Sequence, residues 1–239
     1  MTDSTRDIFL DVFEGAPQRH LESGETLIHA GEPAVEVFNI VEGMLLVSRP
    51  GLDGRRQVLS FLFSDYFVGL TASERYNFSV QAVTPAVVVS RPRAMLDDRL
   101  RKDPEAEKAF ISMTYRVLEN LIDLAFSLGQ RAARERLAVF VLYLRHRYLL
   151  SSGIAPDRDD LLHEIELPMS RTDIADFLGL KKETVSRSLA QLEDAGLIER
   201  IDARNLHILD LAGLRGMAGV LDFASPARAP GNLPSPQGL

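Results

Sequence analysis

The sequence contains no cysteine. Disulfides, thiolate zinc sites, cysteine-ligated iron–sulfur clusters and thiol redox sensing are therefore excluded. Long hydrophobic runs are also missing. The longest, LAVFVLYL from Leu137 to Leu144, is too short to cross a bilayer. The first residues, MTDSTRDIFLDVF, are acidic and mixed, unlike a secretion signal. A cytoplasmic protein with no membrane partner is the expectation. Positive charge is not in excess: the net charge is -7 and the pI near 5.3. That speaks against a non-specific nucleic-acid coat, but a sequence-specific binder needs a positive charge only on its contacting face. The five histidines, His20, His29, His146, His163 and His207, are scattered without metal-ligand spacing. Only His20 and His29 fall in or near the β-rich part, whereas a barrel metalloenzyme would need several clustered ligands. No metal and no enzymatic activity are expected.

What is present is an ordinary globular composition, 46% hydrophobic and 26% charged over 239 residues, enough for one large or two ordinary domains. Residues up to about Pro17 read as a short helix with Ile8, Phe9, Val12 and Phe13 on one stripe. From Leu21 to about Arg91, short β-rich runs such as VEVFNIVEG, RRQVLSFLF and AVVVSR alternate with glycine-containing turns. Many short strands with regular turns indicate a sandwich or barrel.

After Pro92 the pattern becomes helical. PRAMLDDRLRKDP is a short helix closed by Pro104. EAEKAFISMTYRVLENLIDLAFSLG then runs without a breaker to Gly129. Phe110, Met113, Val117, Leu121, Leu124 and Leu128 recur at spacings of three and four, which predicts one apolar stripe on a long helix. A seam this long needs a long partner, and a two-fold copy of the chain is the natural one. The dimer seam is therefore assigned to Met113, Val117, Leu121 and Leu124. QRAARERLAVFVLYLRHRYLL is a further helix, and SSGIAPDRDD a polar linker. The tail from Ala224, rich in Pro, Gly, Ala and Ser, has little to bury and is expected to be disordered or loosely packed.

Between linker and tail, SRTDIADFLGLKKETVSRSLAQLEDAGLIER predicts two short helices hinged at Gly179. Ser170 caps the first, with Asp173 in a variant capping box. The second runs from about Lys182 to Ala195 with Val185, Leu189 and Leu192 inward. LIERIDARNLHIL follows as two short strands around a turn. This order is that of a winged helix-turn-helix. Glu183, Ser186 and Arg187 stand at i, i+3 and i+4 and so share a face, opposite the apolar one and in the half of the helix that enters a major groove. Arg bonds a guanine edge in bidentate fashion, Glu accepts from a cytosine amino group, and Ser bonds several edges. These three are the candidate base readers. Arg171, Lys181 and Lys182 flank them as candidate phosphate contacts.

LPMSRTDIADFLGLKKETVSRSLAQLEDAGLIE closely resembles the helix-turn-helix of the CRP/FNR superfamily of bacterial transcription regulators, and ETVSR is similar to the recognition signature of its FNR and FixK branches. VFNIVEGMLLVSR, DGRRQVLSFLFSDYFVGL and FSVQAV resemble the superfamily's cyclic-nucleotide-binding β-roll, in the right order. The resemblance implies an α+β protein: a β-roll over residues 1–104, a dimerisation helix over 105–129, a winged helix-turn-helix over 130–223 and a tail over 224–239. It implies a homodimer on a two-fold-related double-stranded DNA site like TTGAT paired with ATCAA, and RNA polymerase as a partner. Three departures stand out. Lys181 replaces the Thr or Ser that often caps the recognition helix. The iron–sulfur cysteines of FNR are absent. The Gly-Glu and Arg-Ser pairs that hold a cyclic nucleotide read Gly69-Leu70 and Tyr76-Asn77, with Arg75 one residue away. A degenerate effector pocket at Gly69, Leu70, Arg75, Tyr76 and Asn77, unresponsive to cyclic AMP, is the expectation. No cofactor is expected, although the superfamily leaves haem ligation by His20, His29 or another side chain as an alternative. The competing reading is a ligand-binding or haem-sensing β-barrel whose helical half only mediates protein contacts.

Overall fold

Short runs of Val, Ile, Leu and Phe interrupted by polar and turn residues become strands as far as Pro92. The computed structural model describes residues 8–51, 53–64, 66–154 and 162–219. The strands are β1 (Gln18–Leu21), β2 (Thr26–Ile28), β3 (Glu36–Glu42), β4 (Leu45–Pro50), β5 (Arg56–Leu62), β6 (Phe67–Val68), β7 (Ser79–Ala82) and β8 (Ala86–Pro92). They form two four-stranded antiparallel sheets, ordered β1-β8-β3-β6 and β2-β7-β4-β5. Leu21, Ile28, Phe38, Ile40, Leu45, Val80 and Val88 are buried in their shared core. Gly43 turns β3 into β4 at φ +89°, and a Cβ there would lie 2.4 Å from the Pro85 carbonyl oxygen, so both the backbone angle and the space require glycine.

The N-terminal segment forms a short 3-10 helix, Leu10–Phe13. Phe9 and Phe13 are buried against Val37, Val89 and Leu96, and Phe9 meets Phe67 and Phe110 edge-on at 6.1 and 5.6 Å. Helices α1 (Arg93–Lys102), α2 (Pro104–Gln130) and α3 (Ala133–Ser151) follow. Asp103 caps α2 by accepting from the backbone N–H of Glu105 at 2.9 Å and of Ala106 at 3.3 Å, and Pro104 occupies the first turn where no N–H is missed.

The outward face of α2 differs from the expected seam. Phe110 and Met113 pack inward on the aromatic cluster at the base of the roll. Leu124 and Leu128 are half-buried, and only Val117 and Leu121 of the expected stripe stand exposed. The apolar face that solvent reaches runs through Ile111, Tyr115, Leu118, Ile122 and Phe126, with Val117 and Leu121 on its flank. The helix is apolar over a wide arc. Its N-terminal part uses one edge of that arc for its own domain and leaves the other uncovered.

The C-terminal part holds β9 (Glu164–Glu166), α4 (Arg171–Leu178), α5 (Lys182–Asp194), β10 (Ile198–Arg200), β11 (Asn205–Ile208) and α6 (Leu211–Ala218). The expected hairpin is β10–β11. β9 adds a third strand by pairing with β11, Ile165 opposite Leu206. A three-residue strand with Glu on both sides carries no readable alternation, and pairing with β11 is what makes it a strand. The linker residues 155–161 and the tail beyond 219 lie outside the described residues.

The roll and the helical half share a core. Met44, Leu46, Val58, Phe61 and Phe63 join Leu137, Phe140, Val141, Leu144, Ile174 and Leu178 in one buried cluster. A β-bulge makes this docking face. Val47 opposes Ser60 and Ser48 opposes Val58, so Leu59 is the extra residue. In a regular strand Val58 and Phe61, three apart, would point to opposite faces. The bulge turns both toward the helices.

Candidate nucleic-acid interface

Ser170 accepts from the backbone N–H of Asp173 at 3.1 Å, and the Asp173 carboxylate accepts from the Ser170 backbone N–H at 3.0 Å. This reciprocal box starts α4 where the sequence places it. Gly179 ends the helix at φ +61°. Ile174, Ala175 and Leu178 of α4 are buried with Val185, Leu189 and Leu192 of α5. Burying those faces turns Glu183, Ser186 and Arg187 to solvent, and all three are exposed. The Ser186 hydroxyl donates to the Lys182 carbonyl at 3.3 Å, a weak contact that DNA can replace. Among the described residues no ion pair joins Glu183 to Arg187. The outward face is thus an exposed helix edge with one carboxylate, one hydroxyl and one guanidinium of the kinds that bond base edges.

The flanking cations divide. Lys181 and Lys182 are exposed at the start of α5, and Lys181 makes no side-chain cap, so the first N–H groups of the helix lack a side-chain acceptor. Phosphate oxygens fit there. Arg171 does not share that outlook. Its Nη2 donates to the Ala203 carbonyl at 2.9 Å, its Nη1 is buried, and burial together with the nearby Arg200 lowers its pKa. Arg171 binds α4 to the β10–β11 turn instead of reaching outward. The turn itself is ordered by Asp202, whose carboxylate accepts from the Asn205 side chain at 2.9 Å and from the backbone N–H of Arg204 and Asn205 at 2.6 and 2.8 Å. This network holds its pKa below the usual carboxylate range. Exposed Arg204 at the tip is a cation that the sequence pattern did not single out, because nothing local distinguishes it from a solvated turn residue.

Two further arginines set where this unit sits. Arg136 donates to the carbonyls of Leu178 at 2.9 Å, Leu128 at 2.7 Å and Arg131 at 2.9 Å, so one guanidinium ties the end of α2 and the start of α3 to the end of α4. Arg56 of β5 reaches Asp176 and Asp173 of α4. Burial works against its charge, but the two carboxylates more than offset this and its pKa rises. Neither contact is visible in sequence, since the partners are 42 and 120 positions away.

The five residues expected around an effector engage different parts of the roll. Tyr76 is only 5% exposed and lies in the core of the roll, ring to ring with Phe78 at 5.6 Å. Its hydroxyl donates to the Glu36 carbonyl at 2.7 Å, and burial pushes its pKa up. Leu70 packs the other way, on the cluster around Phe9 and Phe13. The Arg75 guanidinium donates to the Gly31 carbonyl at 2.7 Å, and Asn77 is exposed. Gly69, at φ +116°, sits so close to β3 that a Cβ would lie 2.8 Å from the Glu36 oxygen. A cavity of about 210 Å³ lies elsewhere, lined by Met44, Phe63, Thr84, Tyr148 and Glu166 at the junction with the helical half.

Of the histidines, His29 engages Glu32 at 3.1 Å and His20 is exposed on β1. His163 and His207 stack at 5.9 Å in the small sheet region. No group of three or more His, Cys, Asp or Glu side chains among the described residues is placed to hold a metal. No helix among them is long and apolar enough to cross a membrane.

Comparison with known proteins agrees with this arrangement. Residues 18–103 match the cyclic nucleotide-binding domain family and residues 135–217 the Crp-like helix-turn-helix domain family. The nitrogen fixation regulation protein FixK of Bradyrhizobium diazoefficiens is 33% identical over 199 residues, 83% of this chain and 81% of that protein. FixK of Azorhizobium caulinodans is 36% identical over 182 residues, 76% of this chain and 71% of that protein. The structure of FixK2 from Bradyrhizobium japonicum superposes with a TM-score of 0.75 at 28% identity, covering 88% of this chain and 99% of that one. A helical half serving only protein contacts does not fit a match to the Crp-like helix-turn-helix domain family together with regulator relatives such as FixK. The chain belongs to the FixK-like branch of the CRP/FNR family and is a DNA-binding transcription regulator.

Proposed function

We propose that the chain works as a homodimer, paired along the outer face of α2, that reads a two-fold-related site of the TTGAT–ATCAA kind. Each protomer places α5 in a major groove, with Glu183, Ser186 and Arg187 on base edges and Lys181, Lys182 and Arg204 on the phosphates beside them. The exposed trio on the N-terminal half of α5 carries this reading. The activity is binding and not catalysis, it takes place in the cytoplasm where the DNA is, and RNA polymerase is its further partner. No cofactor is assigned, haem included.

Fluorescence anisotropy on the palindromic duplex and on a scrambled one tests the base readers. Arg187→Ala should weaken the cognate site by about 1–3 kcal/mol and relax the preference at one G·C pair, with little change on scrambled DNA. Lys182→Ala should weaken both duplexes alike and reduce the salt slope by about one. Equal loss on both duplexes for Arg187→Ala would remove that residue from base reading.

The roll should ignore cyclic nucleotides. A buried cyclic phosphate needs a charged partner and its ribose hydroxyl an acceptor. Leu70 offers no acceptor, and the Tyr76 hydroxyl is already bonded to Glu36. Loss of one charge-assisted contact costs about 1.5–3 kcal/mol, and the lost acceptor adds to it, so affinity should fall by at least about two orders of magnitude. Isothermal titration with cyclic AMP and cyclic GMP should give no heat of binding at micromolar concentration. A micromolar dissociation constant abolished by Arg75→Ala would mean that Arg75 leaves Gly31 and serves the phosphate.

A further inference from the structure

β5 is the edge of its sheet. A bare edge strand with an apolar outer face is a liability that proteins cover. Here the cover is the DNA-binding unit itself. Phe61 meets Phe140 of α3 at 5.8 Å and Phe177 of α4 at 5.3 Å. Beside this apolar contact lies a polar one. The Arg56 Nε donates to Asp176 at 3.0 Å, its Nη2 lies 2.9 Å from the same carboxylate and also pairs with Asp173, and the Gln57 amide donates to the Phe177 carbonyl at 3.3 Å. Both aspartates and Arg56 are mostly shielded, with side chains 18%, 25% and 31% exposed. α4 is thus gripped twice, at its end by Arg136 from the α2–α3 joint and on its side by Arg56 from the roll. Because α5 packs on α4 through a buried apolar face, the place of α4 decides the place of α5.

We propose that Arg56 is a positioning residue for DNA recognition: by clamping Asp173 and Asp176 it makes the β-roll, together with the α2–α3 joint, set the direction in which each protomer presents α5. The proposal rests on the reading that two protomers engage two half-sites at once. Only such binding needs a fixed angle, because slack in one unit lowers the effective concentration of the second helix at its half-site. A single half-site makes no such demand. The forked guanidinium suits two carboxylates, and lysine offers a point charge without the fork.

The full chain carrying Arg56→Gln, Arg56→Lys, Asp176→Asn or Arg56→Gln with Asp176→Asn is measured by anisotropy. The probes are palindromes with varied half-site spacing and a duplex with one half-site. Arg56→Gln should weaken the best-spaced palindrome by about tenfold, the size of a typical coupling between sites, and broaden the spacing preference. Half-site affinity should stay within about twofold of wild type. The double variant should lose no more than Arg56→Gln, and Arg56→Lys should recover part of the loss. Equal losses on half-site and palindrome at every spacing would mean a merely structural role and overturn the proposal. So would an unchanged spacing preference in Arg56→Gln while wild type prefers palindromes. A wild type with no preference for palindromes would overturn the two-half-site reading and the proposal with it. If Arg56→Gln does not fold, Asp176→Asn alone must show the broadened spacing for the proposal to stand.

Discussion

Leu118→Glu should turn the protein into a monomer and abolish specific DNA binding in the same step. Ile111, Tyr115, Leu118, Ile122 and Phe126 line one face of α2, 42% to 63% exposed in the single chain. Bulky apolar side chains left this open along one face mark an interaction surface. In the proposed homodimer a parallel two-fold copy would cover this face with itself and close the assembly. Leu118 lies near the middle of the face, so two glutamates would meet across the axis in a dry seam, where unpaired charges cost several kcal/mol. In the single chain Leu118 is 53% exposed, so the protomer tolerates the charge. Losing the second recognition helix removes the avidity of a two-site contact, a factor of about 10²–10⁴. Light scattering and anisotropy on one sample decide it. A dimeric Leu118→Glu with wild-type DNA affinity would place the contact elsewhere.

Phe61→Ala should lower stability by about 3–5 kcal/mol, the usual cost of emptying a buried phenylalanine site. Phe61 is fully buried and bridges the roll to both α3 and α4. Its loss removes aromatic contacts on both sides and leaves a void where the two halves share a core. Against a total of about 5–15 kcal/mol, that is a large fraction. For a chain of this size each kcal/mol is worth about 2–4 °C, so the midpoint should fall by about 10 °C. Calorimetry should also show one transition in wild type and a split or broadened one in the variant, because the joint that couples the halves is gone. An unchanged midpoint with a single transition would mean that the shared cluster does not couple them.

Local chemistry made the recognition unit readable. Ser170 with Asp173 marks a helix start, Gly179 a helix end, and Val185, Leu189 and Leu192 an inner face, so the outer position of Glu183, Ser186 and Arg187 follows from helix period alone. β9 was missed because its three residues have no pattern of their own. A cation beside a recognition helix reads as a phosphate contact, but the Arg171 guanidinium bonds the Ala203 carbonyl of its own chain. The exposed face of α2 departs from the expected stripe for a related reason. Phe110, Met113, Leu124 and Leu128 satisfy the period as well as Ile111, Leu118 and Ile122 do, and periodicity cannot say which edge of a wide apolar arc the rest of the fold will take.

The amino-acid sequence by itself determined the architecture in order, the helix-turn-helix and the residues it presents, because each depends on contacts within a few residues or on one strand's alternation. Tertiary structure alone decided the rest. It turned Tyr76 into the core, gave Leu70 and Arg75 different partners, chose the exposed edge of α2, and brought Arg56 to Asp173 and Asp176 across more than a hundred positions. Such contacts depend on how a bulge at Leu59 aims one strand face at another domain, and a bulge leaves no periodic trace in the chain that forms it.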